Sequence, residues 1–457
     1  MKIIILFCTL FMLIGAYSLS FAQTPDTLWT RTFGGPGNDY VYDLKQTSDG
    51  GYILAGSGTF GTGGWNIYLV KTDAGGDTIW TRFFDADDSD WASSVRQTDD
   101  DGYIVACHGF TNLIKLNEYG DSLWSHDYGI VANSVWLTDD GGYIIGGGVI
   151  QDPCIIKTDS LGNVIWNHVY NSDYFGRINY IQQTFDGEYM AVGTANSVQN
   201  WSDYYIMKID DSGDTLWTRS YGSTGPEEAY CAQQTSDGGY ILSGLFFWTV
   251  KTDARGDTVW SRYYGYGGTG CAFSIQETRD GGYIIGGRVN RPFTEDAQFY
   301  LVKTDPDGNV DWDFEYGGTG WDLGHNVCQT DDGGYAIAGW SDSCGIGGMD
   351  ILLIRLGYPT EVKETFAPVP EYTSLSGNYP NPFNSSTTIE FTLDRPQIVA
   401  LTVYDLLGRE IRTLLNEKKS AGKHRIPFDA SPLSSGVYFY MLQAGDKIET
   451  KRMLLLR

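Results

Sequence analysis

The sequence is poor in the residues that metal sites, redox centres and disulfide-stabilised domains need. Its 457 residues include five histidines and seven cysteines, and the six cysteines after Cys8 lie far apart along the chain. CxxC-type metal and redox motifs are therefore absent, and the spacing predicts no disulfide framework. The HExxH zinc motif and the Walker phosphate-binding loop are absent too, so the sequence assigns no catalytic residue and no certain cofactor.

Basic residues are also scarce. Lys and Arg number 31 against 57 Asp and Glu, which gives a net charge of −26. The imbalance lies before residue 379, where 20 basic side chains face 49 acidic ones, whereas residues 379–457 hold 11 basic and 8 acidic side chains. A body this acidic repels nucleic acid and anionic lipid, so neither is expected as a partner.

Long hydrophobic runs occur only at the N-terminus. The segment MKIIILFCTLFMLIGAYSLSFAQ places Lys2 ahead of an apolar run, and Ser20-Phe21-Ala22 supplies the small residues of a cleavage site. This order predicts a secretory signal peptide over residues 1–22. A membrane anchor is the alternative, but the run is short for a spanning helix. No other segment is apolar enough, so no transmembrane segment is expected in the mature chain.

What the chain has in quantity is a repeated phrase, seen in KTDAGGDTIW (71–80), KTDARGDTVW (251–260) and KTDPDGNVDW (303–312). The tryptophan of this phrase recurs seven times, at Trp29, Trp80, Trp124, Trp166, Trp217, Trp260 and Trp312. A DGGY-type turn also recurs seven times, at Tyr52, Tyr103, Tyr143, Tyr189, Tyr240, Tyr283 and Tyr335. A period of about 40–50 residues, with about four short strands in each unit, predicts a β-propeller, here with seven blades over residues 24–357.

Both ends of the repeat region are incomplete units. The region opens with a single outer strand, TLWTRTFG (27–34), and closes with DILLIRLG (350–357), which no outer strand follows. We therefore expect the N-terminal strand to complete the last blade and remove its free edge. Because the phrase occurs in every blade, we interpret it as scaffold. It resembles the tryptophan-docking repeat of quinoprotein-type propellers and the Asp-box of sialidase-type propellers, and the whole repeat resembles that of secreted bacterial repeat proteins.

The composition changes after Gly357. Residues 358–378 are rich in Pro, Thr and Glu and are predicted to form an extended linker. Over residues 379–457, alternating apolar residues and turn residues predict a small antiparallel β-sandwich with an Ig-like arrangement. The expected fold is thus all-β, a seven-bladed β-propeller closed by the N-terminal strand and followed by this small sandwich.

Several separated motifs stand out in this C-terminal region. They include Tyr379, Pro380, Asn381, Pro382, Phe383, Gly436, Tyr438 and Lys451. With these motifs the region resembles the type A C-terminal sorting domain of the type IX secretion system, with the Ig-like domain of flagellar hook-capping proteins as a related family. The resemblance implies a Bacteroidota-like protein that engages the type IX machinery and is secreted or displayed at the outer-membrane surface.

Loops that differ between the repeats are the best candidates for a ligand site. The turns within each repeat are nearly identical, but the loops on the other face vary in length and chemistry, and propellers bind ligands on such a face. Exposed aromatic residues there would stack on sugar rings, although they would equally serve to pack the loops. The predicted ligand-binding residues are Trp65, Trp201, Arg288, Arg291, Phe293 and Trp340.

Four acidic residues occupy one position of the repeat, seven residues before the Gln of the QT motif: Asp39, Asp90, Glu227 and Asp322. They are expected at the mouth of the central channel, where carboxylate oxygens could hold Ca²⁺. The alternative is that they accept hydrogen bonds from backbone N–H groups of the neighbouring glycine-rich loops.

These observations favour a secreted or surface-exposed propeller that is not an enzyme and binds carbohydrate or protein. A polysaccharide-active enzyme, a glycosidase or lyase, is the first alternative, because an acidic chain offers many carboxylates and sequence spacing does not exclude a catalytic pair. A structural or adhesive surface protein is the second.

Overall fold

The computed structural model divides the chain into two compact units, Met1–Thr360 and Glu361–Arg457. The predicted signal peptide and most of the predicted linker lie outside the residues that the structure describes. Those residues are 24–59, 64–84, 90–109, 111–149, 152–170, 176–196, 202–222, 225–265, 270–290, 296–345, 347–358, 373–395, 397–419, 422–445 and 447–456.

Every regular element among the described residues is a β-strand. In the first unit the strands form seven antiparallel four-stranded sheets, numbered 1 to 7 along the chain. Sheets 1 to 3 contain β2 (Asp39–Gln46), β3 (Tyr52–Thr59), β4 (Trp65–Thr72), β5 (Thr78–Phe84), β6 (Trp91–Gln97), β7 (Tyr103–His108), β8 (Leu113–Leu116), β9 (Ser122–His126), β10 (Val131–Leu137), β11 (Tyr143–Val149), β12 (Asp152–Thr158) and β13 (Val164–Val169).

The remaining sheets of this unit repeat the same up-and-down order. Sheets 4 to 6 contain β14 (Gly176–Gln183), β15 (Tyr189–Asn196), β16 (Ser202–Ile209), β17 (Thr215–Tyr221), β18 (Ala229–Gln234), β19 (Tyr240–Gly244), β20 (Trp248–Thr252), β21 (Thr258–Tyr263), β22 (Gly270–Glu277), β23 (Tyr283–Asn290), β24 (Ala297–Thr304) and β25 (Val310–Tyr316). Sheet 7 contains β26 (Asp322–Gln329), β27 (Tyr335–Ser341), β28 (Asp350–Leu356) and β1 (Thr27–Phe33).

Sheet 7 is built from both ends of the repeat region. Strand β1 pairs antiparallel with β28, with Thr30 opposite Ile354 and Phe33 opposite Ile351. The incomplete first and last repeats of the sequence therefore share one sheet. Without β1, the last strand of sheet 7 would present an unpaired row of backbone hydrogen-bonding groups.

The repeated phrase explains how each sheet is held together. Asp49 of the DGG turn accepts a hydrogen bond from Gly51 N–H at 3.0 Å and from the buried Lys71 ammonium at 2.8 Å. A Cβ on Gly51 would lie 2.1 Å from the Thr72 carbonyl oxygen, so only glycine fits there. The corresponding ion pair occurs in the other six sheets, between Lys115 and Asp100, Lys157 and Asp140, Lys208 and Asp186, Lys251 and Asp237, Lys303 and Asp280, and Arg355 and Asp332.

The tryptophans of the phrase connect neighbouring sheets. Trp80 on the outer strand of sheet 1 contacts Tyr103 of sheet 2 with ring centroids 5.7 Å apart, and its Nε1–H donates to the Glu118 carbonyl at 3.1 Å. Trp29 contacts Tyr52 in the same way, from sheet 7 to sheet 1. Core clusters also form between successive sheets, and one of them joins Val41 of sheet 1 to residues of sheet 7.

The second unit contains a three-stranded and a four-stranded sheet around its own core, which includes Phe383, Phe391 and Tyr440. Its first strand begins at Ser374, inside the segment that the sequence predicts to be linker, because Leu375 is buried in this core. The strands are β29 (Ser374–Tyr379), β30 (Ser386–Leu393), β31 (Gln397–Tyr404), β32 (Glu410–Lys419), β33 (Gly422–Asp429), β34 (Gly436–Ala444) and β35 (Lys447–Leu455).

Candidate functional site

The first strand of every sheet in the first unit contains a β-bulge at the same place. In each strand the pairing register shifts by one residue, as between Val41 and Asp43 in β2. A bulge leaves the extra residue outside the regular pairing and turns its side chain in a new direction. We call these extra residues the bulge residues, and they are Tyr42, Ser93, Asn133, Asn179, Tyr230, Phe273 and His325.

All seven bulge residues line one cavity, of about 680 Å³. The first strands of all seven sheets contribute to its walls. A volume of this size lies within the range of about 300–1,000 Å³ that is typical of small-molecule sites. The cavity is therefore large enough for a small polar ligand or the end of a chain molecule.

One part of the cavity wall is aromatic. The Phe273 ring stacks on the His325 imidazole with centroids 4.5 Å apart and an interplanar angle of 3°. Tyr230 lies 5.4 Å from Phe273, and Tyr42 lies 5.3 Å from His325. These four side chains come from sheets 5, 6, 7 and 1, so they form a continuous aromatic surface across four sheets.

The other three bulge residues are polar and bind the backbone of the next sheet. Ser93 Oγ donates a hydrogen bond to the Ala132 carbonyl at 2.7 Å. The side-chain amides of Asn133 and Asn179 donate to the carbonyls of Ile178 and Ala229, each at 2.7 Å. The bulge positions thus differ in chemistry around the cavity, although the backbone repeats. This difference provides the asymmetry that the repeated scaffold lacks.

A buried charged group lies beside the bulge residues. The Asp43 carboxylate is 2.6 Å from Lys45 Nζ and 2.9 Å from an Arg96 guanidinium nitrogen. It also accepts hydrogen bonds from Val95 N–H at 2.9 Å and from the Asn326 amide at 2.8 Å. Burial alone would raise the pKa of Asp43, but the two cations and the hydrogen bonds from Lys45 and Val95 outweigh burial and hold the pKa below its usual value. Asp43 therefore stays ionised.

Both histidines of the cavity wall are neutral at physiological pH. Burial lowers the pKa of His325 and of His108 to about 4. His108 stacks on Trp91 with centroids 4.3 Å apart, and its Nε2–H donates to Asn133 Oδ1 at 2.8 Å. His325 Nδ1–H donates to the Tyr42 carbonyl at 3.0 Å. These contacts assign the two imidazoles to the aromatic lining of the cavity.

The structure brings two of the predicted ligand-binding residues together. Trp65 and Trp340 both contact the Tyr40 ring, at centroid distances of 5.0 and 4.9 Å, and both are half-buried. We call Trp65, Tyr40 and Trp340 the aromatic cluster. Arg288 is half-buried in β23, on a different sheet from either tryptophan. The other three predicted residues lie outside the described part of the chain: Trp201, Arg291 and Phe293.

The four acidic residues lie on four different sheets. Asp39, Asp90, Glu227 and Asp322 lie at sheets 1, 2, 5 and 7 and are each at most 3% exposed, so all four side chains are buried. Nowhere in the described ranges is a group of three or more His, Cys, Asp and Glu side chains arranged to hold a metal ion.

Two of these carboxylates hold the preceding glycine-rich loop. Asp39 Oδ2 accepts a hydrogen bond from Gly35 N–H, and Asp322 Oδ2 accepts one from Gly318 N–H, each at 2.8 Å. Asp322 also accepts one from Ser343 Oγ at 2.8 Å. This geometry matches the loop-anchoring alternative for these two residues.

The sequence analysis missed the bulge residues, although they stand at a fixed position in the repeat. Each lies four residues before the position of the Gln in the QT motif, as Tyr42 does relative to Gln46. The sequence signal for these residues was that the side chain at this position differs from repeat to repeat within an otherwise regular strand. Strand alternation alone does not show that a bulge turns this position toward the cavity.

The predicted sorting residues come together in the second unit. Phe383 is buried in its core, and its backbone N–H donates to the Leu454 carbonyl at 3.0 Å. Asn381 Oδ1 accepts from Leu454 N–H at 2.9 Å, so the Tyr379–Phe383 segment is held against the last strand, β35. In the same unit, Tyr438 donates to the Ser434 carbonyl, Lys451 Nζ donates to the Ser376 carbonyl, and Gly436 pairs with Leu455.

Comparison with solved structures supports the β-propeller fold. A streptogramin B lyase shares 12% identity with a TM-score of 0.51, over 72% of this chain and 98% of that chain. PorZ, an essential surface component of the type IX secretion system of Porphyromonas gingivalis, shares 12% identity with a TM-score of 0.45, over 93% of this chain and 60% of that chain. A Bacteroides caccae protein of unknown function shares 13% identity with a TM-score of 0.41, over 62% of this chain and 94% of that chain. The lyase likeness shows a shared fold.

Sequence comparison identifies the C-terminal region. No curated protein matches the chain significantly. Of the elements that the structure describes, none is a helix with the length and apolar character needed to cross a bilayer. Residues 378–456 match the family of secretion system C-terminal sorting domains. The chain therefore carries a type IX sorting domain behind a β-propeller, which indicates export to the cell surface or secretion.

Proposed function

We propose that this protein is an exported, non-catalytic carbohydrate-binding propeller whose ligand enters the cavity lined by the bulge residues. In this proposal the first unit is a seven-bladed propeller closed by β1, residues 1–22 are a signal peptide, and the C-terminal domain has an Ig-like arrangement. The protein leaves the cell through the type IX machinery and is either released or kept at the outer-membrane surface.

The observation that carries the proposal is the mixed lining of the cavity. The aromatic surface of Tyr230, Phe273, His325 and Tyr42 offers apolar ring area, which suits the C–H faces of a sugar ring. Amide and hydroxyl groups elsewhere on the same wall suit sugar hydroxyls. Rigid strands hold both kinds of group, so little ordering cost is paid on binding.

The cavity favours binding over glycoside hydrolysis. Glycosidases use two carboxyl groups, one of which must be able to donate a proton near neutral pH. Among the described residues that line the cavity, the carboxylate is Asp43, which is already paired with Lys45 and Arg96. Its lowered pKa makes it a poor acid, and its hydrogen bonds leave it poorly placed as a nucleophile.

The proposal is tested with the full chain lacking residues 1–22, applied to a panel of immobilised polysaccharides. We expect retention on at least one glycan and no shortening of that glycan on prolonged incubation. Chain cleavage would instead support the glycosidase or lyase alternative. Absence of retention on every glycan would contradict a carbohydrate site and leave a structural or protein-binding role.

Adding EDTA to the same experiment tests the calcium hypothesis for Asp39, Asp90, Glu227 and Asp322. These carboxylates lie on separate sheets, so we expect retention to be unchanged by EDTA. Loss of retention that Ca²⁺ restores would make a calcium-assisted site the better account. The aromatic cluster of Trp65, Tyr40 and Trp340 is the second candidate surface, because its rings are half-buried and adjacent.

A further inference from the structure

The cavity carries positive charge in a protein that is otherwise strongly acidic. Lys45 and Arg96 line its wall together with a single carboxylate, Asp43, so this group has one excess positive charge. The other lining cation, Arg177, is exposed and pairs with Glu228 at 3.4 Å. Before residue 379, acidic side chains outnumber basic ones by 49 to 20. The sign of the charge inside the cavity is therefore opposite to that of the surrounding protein.

Asp43 does not satisfy the hydrogen-bonding capacity of Arg96. One terminal nitrogen of the guanidinium donates to Asp43 at 2.9 Å and to the Val95 carbonyl at 2.8 Å. The Arg96 Nε–H is buried and has no hydrogen-bond acceptor among the described residues. A buried donor without an acceptor is unfavourable, so the protein does not fully pair this guanidinium.

Arg96 is also held in place by an aromatic ring. Its guanidinium carbon lies 4.8 Å from the centroid of the Trp136 ring, and the side chain is 10% exposed. A guanidinium held this way loses little further freedom when it binds an anion. Trp136 itself lines the cavity, so the cation and its aromatic support lie on the same wall.

Lys45 is the more accessible of the two cations. Its side chain is 30% exposed, and its ammonium donates to Asp43 at 2.6 Å and to the Leu44 carbonyl at 3.0 Å. An ammonium has three N–H donors, so one remains for a ligand. Burial and the neighbouring Arg96 guanidinium lower the pKa of Lys45, and Asp43 offsets them only in part, so the ammonium is not fully compensated where it lies.

From these contacts we propose that the cavity binds acidic carbohydrate, with Lys45 and Arg96 receiving the carboxylate of a uronic acid. The bulge aromatics, led by Phe273, take the face of the same sugar or of its neighbour. This inference rests on the proposed carbohydrate-binding function and specifies its ligand class. Asp43 holds the two cations in position and limits their net charge, so that the cavity retains one excess positive charge.

The test compares uronic-acid trisaccharides of galacturonate, glucuronate and mannuronate with their methyl esters. Esterification removes the negative charge and leaves the sugar rings intact. Titration calorimetry on the full chain lacking residues 1–22 is expected to show at least tenfold tighter binding of one acid than of its ester. Raising the salt concentration from 50 to 500 mM should weaken binding of the acid and leave that of the ester unchanged.

Variants locate the effect. Lys45→Gln should weaken binding of the acid at least tenfold without changing that of the ester. Arg219→Gln is the matched control: Arg219 lies on the outer strand β17, stacks on Trp217 and pairs with Asp257, and its replacement should change neither affinity.

The outcomes separate the two proposals. Equal affinity for the acid and its ester would overturn the anionic ligand class and leave the carbohydrate-binding function standing. If the Lys45→Gln variant still binds the acid more tightly than the ester, as the wild type does, the anion binds elsewhere. That result would overturn the assignment to this cavity. Failure of every acid and every ester to bind would count against both proposals.

Discussion

At the scale of single residues, Asp39 shows how a buried carboxylate makes the stability of the fold depend on pH. The residue is fully buried and accepts one hydrogen bond, from Gly35 N–H. Burial raises its pKa from 3.8 to about 6, and the nearby Asp350 adds to this effect. Since the folded-state pKa lies above the unfolded value, the protein loses stability as pH rises from about 4 to beyond 6.

We predict that Asp39→Asn stabilises the protein at neutral pH. Asparagine keeps an acceptor for Gly35 N–H but carries no charge. From a pKa difference of about two units, the gain is at most about 3 kcal/mol at pH 7.5 and close to zero at pH 4. Thermal unfolding of wild type and variant across this pH range checks the prediction.

Asp322→Asn provides the control for this substitution. Asp322 occupies the same position of its repeat but accepts hydrogen bonds from Gly318 N–H and from the hydroxyls of Ser341 and Ser343. Losing its charge therefore weakens charge-assisted hydrogen bonds, and the variant should be less stable at pH 7.5. A loss of stability in Asp39→Asn of similar size would contradict the account of its pKa.

At the scale of the strands and turns, the buried lysine of each repeat ties the third strand to the DGG turn. Lys251 is 3% exposed, and its ammonium lies 2.8 Å from Asp237 and 2.8 Å from the Thr252 carbonyl. Although burial alone would raise the pKa of Asp237, the hydrogen bond from Lys251 and those from the turn lower it to about 2.

We predict that Lys251→Met destabilises the protein by about 1–3 kcal/mol at pH 7, because it removes both hydrogen bonds but keeps the length of the aliphatic chain. The contribution of the ion pair is present above about pH 4 and is lost as pH falls through 2. The difference between variant and wild type should therefore shrink in acid. Arg255→Met, an exposed turn residue, should have almost no effect on the same denaturant curves.

Strands and turns are also where sequence reasoning succeeded and failed. Gly and Asp positions locate the turns, because positive φ at residues such as Gly50 favours glycine, with Asp101 taking the same position in sheet 2 at φ 58. The bulge residues escaped prediction because Tyr42 or Phe273 looks like any other strand residue. The direction of their side chains depends on a one-residue shift in strand pairing. The alternation of apolar and polar residues along the strand does not reveal that shift.

The acidic set shows what a shared position in the repeat does and does not predict. Asp39 and Asp322 occupy the same position, and both accept a hydrogen bond from the backbone of the preceding glycine-rich loop. Periodicity thus predicted that these two residues have similar surroundings. It did not predict that they are buried, because burial depends on how the loop folds over the strand.

At the scale of the whole molecule, β1 contributes to the last sheet from the other end of the repeat region. We predict that deleting residues 24–33 from the chain without its signal peptide lowers the unfolding temperature and exposes β28 to proteolysis, because Ile354 and Ile351 lose their pairing partners. A synthetic peptide of residues 24–34 should restore part of the lost stability. A scrambled peptide is the control, and a deletion variant as stable as the intact chain would contradict closure by β1.

The most direct test of the central claim, that ligand enters the cavity lined by the bulge residues, is retention of three chains on the polysaccharide panel. They are the wild type, Phe273→Ala in the cavity and Trp65→Ala in the aromatic cluster. We predict that Phe273→Ala loses retention at least tenfold while Trp65→Ala keeps it, with both variants folded by circular dichroism. Loss in Trp65→Ala with retention in Phe273→Ala, or no retention of the wild type, would contradict the claim.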